Sequence, residues 1–392
     1  MKHKRIAFIN STSGGSTGNI AKKLIREYPG EAKLFCFFGS EDNDVIEIKV
    51  PKVSDIFSHS ISRIDGKDGF HYHSSTKKLI KELEAFKPDT IHIHNLHGYY
   101  LNVPLLFEYI NKNNIKVVWT LHDFWALTGR CAIPEECTLF LNGCQERCPN
   151  RKNYPYAIIH NEKKLYNKKK TLLSSLNNVQ IVTPSEYLMN YVKQTYLNKY
   201  PLQVINNGID LSKFYFEDNN LKQKLGIRED KIVLLDIMLP VSYHKGIVYL
   251  NKLADELDDK YQIVLIGRNE DNLTISKKIL HIPFIKQEEL HLYYSLADLY
   301  INPTISDNYP TVDMEAISCH LPVISFDTGG SKEIVTEDVG RIIKKKDYEA
   351  FKKAIESFNK DDYQVEDFEK RRNEFNEVEM VNKYLKLYKQ IP

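Results

Sequence analysis

The sequence predicts an α/β protein with two domains, each containing a mainly parallel sheet covered by helices. Short apolar segments alternate with amphipathic, helix-like segments along the whole chain, which is typical of βαβ units. The chain has 392 residues, too many for one ordinary hydrophobic core. The alternation also restarts at Lys231, so two domains of about 190 residues each are expected.

The first half contains six strand-like segments, which are short, apolar and followed by turn-forming residues. They lie at 6–10, 34–38, 90–94, 117–121, 180–183 and 203–206. A helix is expected over 74–86, because Leu79, Leu83 and Phe86 recur at a spacing of three to four residues. It should end near Pro88, since the residue before a proline is disfavoured in the α region.

The second half repeats the pattern after a linker at about 207–226. Strands are expected at 231–235, 262–266, 299–302, 323–326 and 340–343, and helices at 247–257, 288–297 and 348–358. Phe375, Val378 and Val381 predict a last helix over 368–388. The chain is therefore divided into an N-terminal domain (1–207), a C-terminal domain (208–367) and a terminal helical segment (368–392).

The composition, 42% hydrophobic and 27% charged, is that of a soluble globular protein. No apolar run approaches the roughly 18 residues that span a bilayer, and the first strand is too short for a signal peptide. A cytoplasmic location is therefore predicted, and no nucleic-acid partner is expected. Residues 1–200 carry 28 Lys+Arg against 19 Asp+Glu, or +9, whereas residues 201–392 carry 26 against 33, or −7. The lysine-rich segment 163–170 is either a solvated helix face or a peripheral contact with the cytoplasmic face of the membrane.

The segment 306–330 carries the most chemical information. It predicts a loop at a strand end, a short helix, a buried strand and a Gly-Gly loop, and ligands of parallel α/β sheets bind at such strand ends. Backbone amides from Asn308 to Thr311 would bind an anion at the helix start. Glu315 would accept hydrogen bonds from the two hydroxyls of a ribose, so a nucleotide is indicated. The structural alternative is that Asp307 caps the helix and Glu315 forms a surface ion pair.

A glycine-rich loop follows the first strand, with Gly14, Gly15 and Gly18 ahead of a helix. Ser13 stands where the dinucleotide fingerprint G-x-G-x-x-G has its first glycine, so a dehydrogenase is not indicated. The two adjacent glycines either allow a ligand to approach the backbone closely or only form a tight turn.

Histidines follow two of the predicted N-terminal strands. His94, His97 and Tyr99 come after the third strand, and His122 and Asp123 come after the fourth. Because parallel strands end at one edge of a sheet, these side chains should lie together. The His-Asp pair is the stronger signal. Each imidazole could instead be satisfied by the backbone, and metal binding by His94 and His97 is not expected.

Four of the six cysteines lie within eighteen residues, at Cys131, Cys137, Cys144 and Cys148. In a reducing cytosol structural disulfides are disfavoured, so this cluster suggests a structural zinc ion that holds the loop 131–148. The spacing is not that of a standard zinc finger. Disulfide pairing and free thiols therefore remain alternatives.

The segment 306–330 resembles the donor-site signature of retaining family-4 glycosyltransferases, which have the GT-B fold of two Rossmann-like domains facing across a cleft. That signature has two glutamates separated by seven residues, then Ala, a Pro-Val strand and a Gly-Gly loop. Here the first acid is Asp307, and His320 replaces the usual glycine. The segments 119–131 and 143–149 resemble a subgroup that makes bacterial exopolysaccharides and capsules, including colanic acid. The resemblance covers nearly the whole chain.

The resemblance implies a hexosyltransferase that moves a sugar, with retention, from a UDP- or GDP-sugar to a lipid-linked or oligosaccharide acceptor in cell-surface polysaccharide synthesis. It implies an acceptor-binding N-terminal domain, a donor-binding C-terminal domain, a terminal helix that packs back on the first, and no catalytic metal. The family's arginine before Lys245 is missing, so His244 or Arg268 would have to compensate. The implied catalytic residues are His122, Lys245, Asp307 and Glu315. The implied donor-binding residues are Gly14, Gly15, Arg268, Ile282, Phe284, Asn308, Tyr309, Pro310, Thr311 and Glu315, with His94, His97 and Tyr99 on the acceptor side.

Within this resemblance, Lys245 would pair with the donor pyrophosphate, Glu315 would hold the ribose, and Asp307 and His122 would orient the sugar. Two alternatives belong to other classes. One is a sugar-nucleotide epimerase on the same fold. The other is a nucleotide-sugar-binding protein whose activity is lost because of the missing arginine and the change to Asp307.

Overall fold

The computed structural model describes residues 4–39, 42–49, 52–145, 148 and 153–390, with backbone alone for 52–55. The chain forms two compact units. The first comprises Met1–Ile205 and Val381–Pro392, and the second comprises Asn206–Met380. The division therefore falls two residues before the predicted one, and the second unit extends thirteen residues beyond the predicted 367.

Within the described residues, the first unit contains a seven-stranded, wholly parallel sheet in the order β3-β2-β1-β4-β5-β6-β7. Its strands are β1 (Ile6–Ile9), β2 (Ala32–Cys36), β3 (Val45–Glu47), β4 (Thr90–Ile93), β5 (Lys116–Thr120), β6 (Val179–Thr183) and β7 (Leu202–Val204). Its helices are α1 (Gly15–Glu27), α2 (Lys52–Asp65), α3 (His73–Phe86), α4 (Val103–Lys112), α5 (Glu162–Leu173) and α6 (Glu186–Val192). Helices cover both faces of such a sheet, and this explains why β1 and β4 are buried along their whole length.

The second unit repeats this architecture with a six-stranded parallel sheet in the order β10-β9-β8-β11-β12-β13. Its strands are β8 (Ile232–Ile237), β9 (Tyr261–Ile266), β10 (Leu280–Ile282), β11 (Leu299–Asn302), β12 (Val323–Phe326) and β13 (Gly340–Ile343). Its helices are α7 (Leu221–Lys224), α8 (Ile247–Glu256), α9 (Leu290–Leu296), α10 (Thr311–Ser318), α11 (Ser331–Ile334), α12 (Tyr348–Glu356) and α13 (Val365–Asn373). The strand order reverses direction between β8 and β11, and parallel sheets bind ligands at such a switch point.

The predicted terminal helix is in fact two helices, α13 and a last helix α14 (Glu377–Gln390). The interruption has a physical reason, because the backbone of 375–377 pairs instead with Ile209: Ile209 N donates to Phe375 O at 2.8 Å, and Glu377 N donates to Ile209 O at 3.1 Å. Gly208 is required there, since a Cβ would lie 2.4 Å from the Cα of Glu377.

The C-terminal part of α14 belongs to the first unit and is bound there through a buried polar chain. Tyr388 hydrogen-bonds Nδ1 of His92 at 2.7 Å, and Nε2 of His92 lies 2.8 Å from the hydroxyl of Thr120. That hydroxyl also lies 2.9 Å from the hydroxyl of Tyr384. Both ring nitrogens of His92 are therefore hydrogen-bonded where α14 packs on the sheet, and His92 is a structural core residue.

The edge strands β3 and β10 were not predicted from the sequence, nor were helices α2, α4, α6, α7 and α11. Each of the two strands has three residues, all only partly buried, so neither contains the apolar run that identifies a strand. Ile282, predicted to lie in a base-binding loop, is the last residue of β10, and its carbonyl accepts from Gly267 N at 3.0 Å.

Candidate active site

The second unit places Lys245 and Asp307 together at the carboxyl edge of its sheet. Lys245 lies in the loop after β8, and Asp307 lies in the loop after β11. Gly246 has φ +92° and would place a Cβ 2.2 Å from the carbonyl oxygen of Pro303, so only glycine lets the two loops approach this closely. As a result, Nζ of Lys245 contacts Oδ2 of Asp307 at 2.6 Å.

The carboxylate of Asp307 lies where the sequence predicted a ligand anion. Its Oδ1 accepts hydrogen bonds from the backbone N–H groups of Asn308 at 2.8 Å and Tyr309 at 3.3 Å. The Gly-Gly loop supports this arrangement, because a Cβ on Gly329 would lie 1.9 Å from the Asp307 carbonyl oxygen. An ammonium group and two backbone amides thus converge on one negative charge, just before α10 begins at Thr311, with Pro310 as its N-cap. The site is built to bind an anion.

Glu315 lies on α10 and accepts a hydrogen bond from the hydroxyl of Tyr294, on α9, at 2.8 Å. Burial raises the pKa of the Glu315 carboxyl to about 7, and the neighbouring Asp313 acts in the same direction. Near neutral pH the group is therefore divided between its ionised and neutral forms. Its second oxygen can accept a further hydrogen bond when the group is ionised.

Two carboxyl groups that sequence analysis missed lie beside Lys245. Asp236, on β8, and Asp313, on α10, are buried, and burial raises the pKa of both, that of Asp313 to about 7. Oδ1 of Asp313 accepts from the Asn302 side chain at 2.7 Å. Asp236 carried a usable signal, since a carboxyl group in the middle of the apolar strand β8 is out of place in a buried strand.

The side chains of Arg268 and Phe284 contact each other in the second unit. The guanidinium of Arg268 stacks on the ring of Phe284, with 5.1 Å between them, and both residues are exposed. The carbonyl of Arg268 accepts from Val241 N at 3.0 Å, in the loop that carries Lys245. Compensation of the missing arginine by His244 or Arg268 stays a prediction.

In the first unit, Gly14 and Gly15 form the turn into α1. Gly14 is the N-cap, its N–H donates to the Thr12 hydroxyl at 3.1 Å, and Gly15 has φ +67°. A Cβ on Gly15 would meet nothing within 4 Å, whereas one on Gly18 would lie 2.5 Å from Ser13. Glycine is thus required at 15 by the backbone angle and at 18 by close packing, as expected if these glycines form a tight turn. The open space next to Gly15 still leaves room for a ligand.

His94 and His122 form a hydrogen-bonded pair at the carboxyl edge of the first sheet. Nδ1 of His94 lies 2.8 Å from Nε2 of His122, and the rings stack with centroids 5.1 Å apart. Burial lowers the pKa of His122 to about 4 and that of His94 well below its ordinary value. Both imidazoles are therefore neutral at physiological pH, and His122 is suited to exchange hydrogen bonds with hydroxyl groups, not to carry charge.

His97 pairs with Asp123, which joins side chains from the loops after β4 and β5. Nε2 of His97 hydrogen-bonds the Asp123 carboxylate, which also accepts from Trp125 N at 2.7 Å. Burial lowers the pKa of His97, but Asp123 outweighs it and the net pKa is raised. Tyr99 lies beside this pair, and its hydroxyl donates to the carbonyl of Tyr156 at 3.2 Å.

An apolar cavity of about 270 Å³ adjoins Tyr99 within the first unit. Mainly aromatic and aliphatic side chains line it, among them Phe38, Ile56 and Tyr72, and α2 adds the polar His59 and Ser60. Phe38 and Ile56 are 58% and 65% exposed at its mouth. No Lys, Arg, Asp or Glu contributes to the described lining, so the cavity suits an uncharged, apolar group.

The four clustered cysteines do not form a metal-binding group. Across the described ranges, which include all four of them, no set of three or more Cys, His, Asp or Glu side chains is arranged to hold a metal ion. All six cysteines are thiols, and Cys144 accepts a hydrogen bond from Gly129 N at 3.2 Å. The geometry therefore gives the zinc hypothesis no support and leaves the thiol alternative.

The lysine-rich segment is not a uniformly solvated face. Lys169 on α5 is buried, donates to the carbonyl of Trp125 and lies 3.6 Å from the centre of its ring. Burial lowers its pKa to about 7. Ile158 and Ile159 precede α5 and are exposed. Among the described residues, no helix combines the length and apolarity needed to cross a bilayer.

Comparisons with known proteins agree with this fold. The family model "Glycosyltransferase Family 4" matches residues 30–213, and "Glycosyl transferases group 1" matches residues 217–377. A relative in Escherichia coli K12, named as the putative colanic acid biosynthesis glycosyl transferase WcaC, is 24% identical over 302 residues, 75% of this chain and 73% of that protein.

Two solved structures share the fold over nearly the full length of both chains. Sucrose-phosphate synthase from Thermosynechococcus elongatus has a TM-score of 0.73 at 15% identity, covering 99% of each chain. HepE from Anabaena, solved with UDP-glucose, has a TM-score of 0.69 at 14% identity, covering 98% of this chain and 99% of that one. Together, the two matched family models and the paired parallel sheets show that this chain belongs to the family 4 glycosyltransferases of the GT-B fold.

Proposed function

We propose that this glycosyltransferase takes a nucleoside diphosphate sugar as donor and binds it in the second unit. The observation that carries the proposal is the convergence of Lys245 Nζ and the Asn308 and Tyr309 amides on a single carboxylate, that of Asp307. A diphosphate presents the same charge to these groups and would displace Asp307. Glu315, about one helical turn further along α10, would then accept hydrogen bonds from the ribose.

The reaction we propose retains the anomeric configuration. The bond between the anomeric carbon and the diphosphate oxygen breaks, the acceptor hydroxyl oxygen bonds to that carbon on the same face, and its proton passes to the leaving phosphate. Lys245 and the two amides stabilise the charge that develops on the diphosphate. Asp307, released from Lys245, would orient the sugar hydroxyls.

The acceptor we propose is a lipid-linked saccharide, as cell-surface polysaccharide synthesis requires. The support is the cavity beside Tyr99, because its mainly aromatic and aliphatic lining suits the hydrocarbon part of such an acceptor. His97 and Tyr99 would contact its saccharide part. The name of the E. coli relative, which refers to colanic acid biosynthesis, agrees with this class of product.

We further propose that the enzyme acts peripherally at the cytoplasmic face of the membrane. Helix α2 exposes Ile56 and Phe57, and the 158–159 segment exposes two isoleucines, beside the exposed Lys163 and Lys164. Apolar side chains bordered by lysines favour the interface of an anionic bilayer.

The experiment that tests the donor proposal is a thermal-unfolding screen of UDP-, GDP- and dTDP-sugars. A true donor at 100 times its dissociation constant should add about 2.7 kcal/mol to the free energy of unfolding. Lys245→Ala should weaken that ligand about tenfold to a hundredfold, because a charge-assisted contact is lost. Lys332→Ala, a surface lysine of the same unit, is the control. If no nucleotide sugar stabilises the protein, or if Lys245→Ala binds one normally, the proposal is wrong.

A further inference from the structure

The surroundings of Lys245 contain more negative charge than the donor proposal can accommodate. Lys245 faces Asp307 from the loop after β11, Asp236 from β8 and Asp313 from α10, and all three carboxyls influence its charge. If all three were ionised, one ammonium would be surrounded by three negative charges. A diphosphate would then meet net repulsion at the place where it is expected to bind.

The geometry of Asp236 opposes its ionisation. It is 1% exposed, and its Oδ2 has no hydrogen-bond donor among the described residues. Asp313 is 0% exposed, and its Oδ2 likewise has no partner there, whereas its Oδ1 receives the amide of Asn302. A buried carboxylate with one oxygen that lacks a donor is disfavoured relative to the neutral acid.

The Asn302 contact fixes which group donates. Oδ1 of Asn302 accepts from Thr304 N at 3.2 Å, so its amide nitrogen faces Oδ1 of Asp313 and donates to it at 2.7 Å. Asp313 also receives a hydrogen bond from the side chain of Ser325, whereas Asp236 receives one from the backbone of Ile237. The side-chain donors favour partial ionisation of Asp313. For Asp236, burial outweighs the backbone contact and raises the pKa well above its ordinary value, so the two acids differ in their protonation although both lie near the same lysine.

We propose that Asp236 and Asp313 are positioning residues that hold a proton beneath Lys245, so that its ammonium charge is directed to the anion at the sheet edge. Asp236 stays neutral, and Asp313 ionises near neutral pH. When Asp313 ionises it draws the ammonium inward and repels the diphosphate. The predicted effect on donor binding rests on the proposed function. The presence of the retained proton does not depend on it.

The retained proton can be measured without any donor. Infrared spectra of the full-length protein should contain the C=O band of a protonated carboxyl at pH 8, and that band should be lost in Asp236→Asn. Asp338→Asn, an exposed aspartate of the same unit, should keep it. If Asp236→Asn leaves every protonated-carboxyl band in place, Asp236 is ionised and the proposal is overturned.

The consequence for donor binding is measured by calorimetry with UDP-glucose and GDP-mannose, which carry no phosphate that titrates near neutral pH. The dissociation constant of the one that binds should rise about tenfold from pH 6 to pH 8, which is the order expected for one added charge a few ångströms away. Asp313→Asn should remove this rise, and Asp338→Asn should keep it. Glu315 also titrates in this range and lies beside Asp313, so Glu315→Gln is measured in parallel.

The outcomes separate the two proposals. If the wild type binds neither sugar nucleotide, the donor proposal fails and the infrared result stands by itself. If it binds with an affinity that does not change with pH, or if Asp313→Asn keeps the full rise while Glu315→Gln loses it, the role given to Asp313 is wrong.

Discussion

At the scale of single residues, Asp307 is the one whose role the fold changes most. It is one carbon shorter than the glutamate usual in the family signature, and its carboxylate binds the backbone amides of Asn308 and Tyr309. It also neutralises Lys245 across 2.6 Å. The same group that is proposed to orient the sugar thus competes with the diphosphate for its site.

Asp307→Asn should therefore separate binding from turnover. We expect a nucleoside diphosphate to bind about tenfold more tightly, because a competing charge is removed from Lys245. Turnover of the sugar donor should fall, because a group that orients its hydroxyls is weakened. Calorimetry and a transfer assay measure the two effects, with Asp327→Asn, a surface ion pair to Lys332, as the control. Weaker binding of the diphosphate would contradict the competition.

Glu315 links function to the pH dependence of stability. Its pKa is raised by burial from an ordinary 4.5 to about 7 in the folded protein, so the folded state holds a proton that the unfolded state has already released between those values. Stability is therefore full below the ordinary pKa and falls as the pH rises through 7.

Glu315→Gln removes that loss, so the variant should be more stable than the wild type at pH 8 by on the order of 1–3 kcal/mol. At pH 4 the two should be nearly equal. Urea unfolding at both pH values measures the difference, with the exposed Glu337→Gln as the control. Equal stability at pH 8 would contradict the raised pKa.

At the scale of elements, the long segment between β5 and α5 is held by buried charge. Arg130 is 2% exposed, contacts the carboxylate of Glu162 at 3.3 Å and donates to the carbonyls of Asn153 and Pro155. This segment begins with His122 and Asp123, so its attachment to α5 helps to position the proposed acceptor side.

Arg130→Ala should lower the free energy of unfolding by about 3–5 kcal/mol, because the buried Glu162 carboxylate loses its cationic partner and keeps the contact with His160. The double variant Arg130→Met/Glu162→Leu should recover most of that loss, since neither charge remains. Denaturant unfolding measures both, and Arg63→Ala, which removes a cation that stacks on the exposed Tyr156, is the control. A loss below about 1 kcal/mol for Arg130→Ala would show that the pair is solvated.

At the scale of the whole molecule, the charge is divided along the chain, +9 in residues 1–200 and −7 in residues 201–392. The exposed apolar side chains of α2 lie in the basic half. This distribution favours contact with an anionic surface through the first unit.

Vesicle sedimentation checks this expectation. The protein should bind vesicles containing phosphatidylglycerol, and binding should fall steeply as salt is raised, because exposed charges are screened. Phe57→Glu should weaken binding about tenfold. Val365→Glu, at an equally exposed apolar position of the second unit, should not. Equal binding to neutral vesicles, or equal effects of the two substitutions, would contradict docking through α2.

The sequence alone determined the doubly wound α/β class and most of the strands, which follow from apolar runs of strand length and from glycines where backbones approach. The expectation that Lys245 and the segment after β11 serve one donor site came from the family resemblance. Short edge strands such as β3 were not predicted, because three half-buried residues do not form an apolar run of strand length.

Only the tertiary structure decided which groups meet. Asp123 is bound by His97, which comes from the loop after another strand, and Asp236 and Asp313 both lie near Lys245 although they are 77 residues apart in the chain. The exposed guanidinium of Arg268 stacks on the ring of Phe284. Burial, which sets whether a carboxyl or imidazole is charged, depends on every element packed around it. No local stretch of sequence contains that information, so the protonation of this site is a property of the fold.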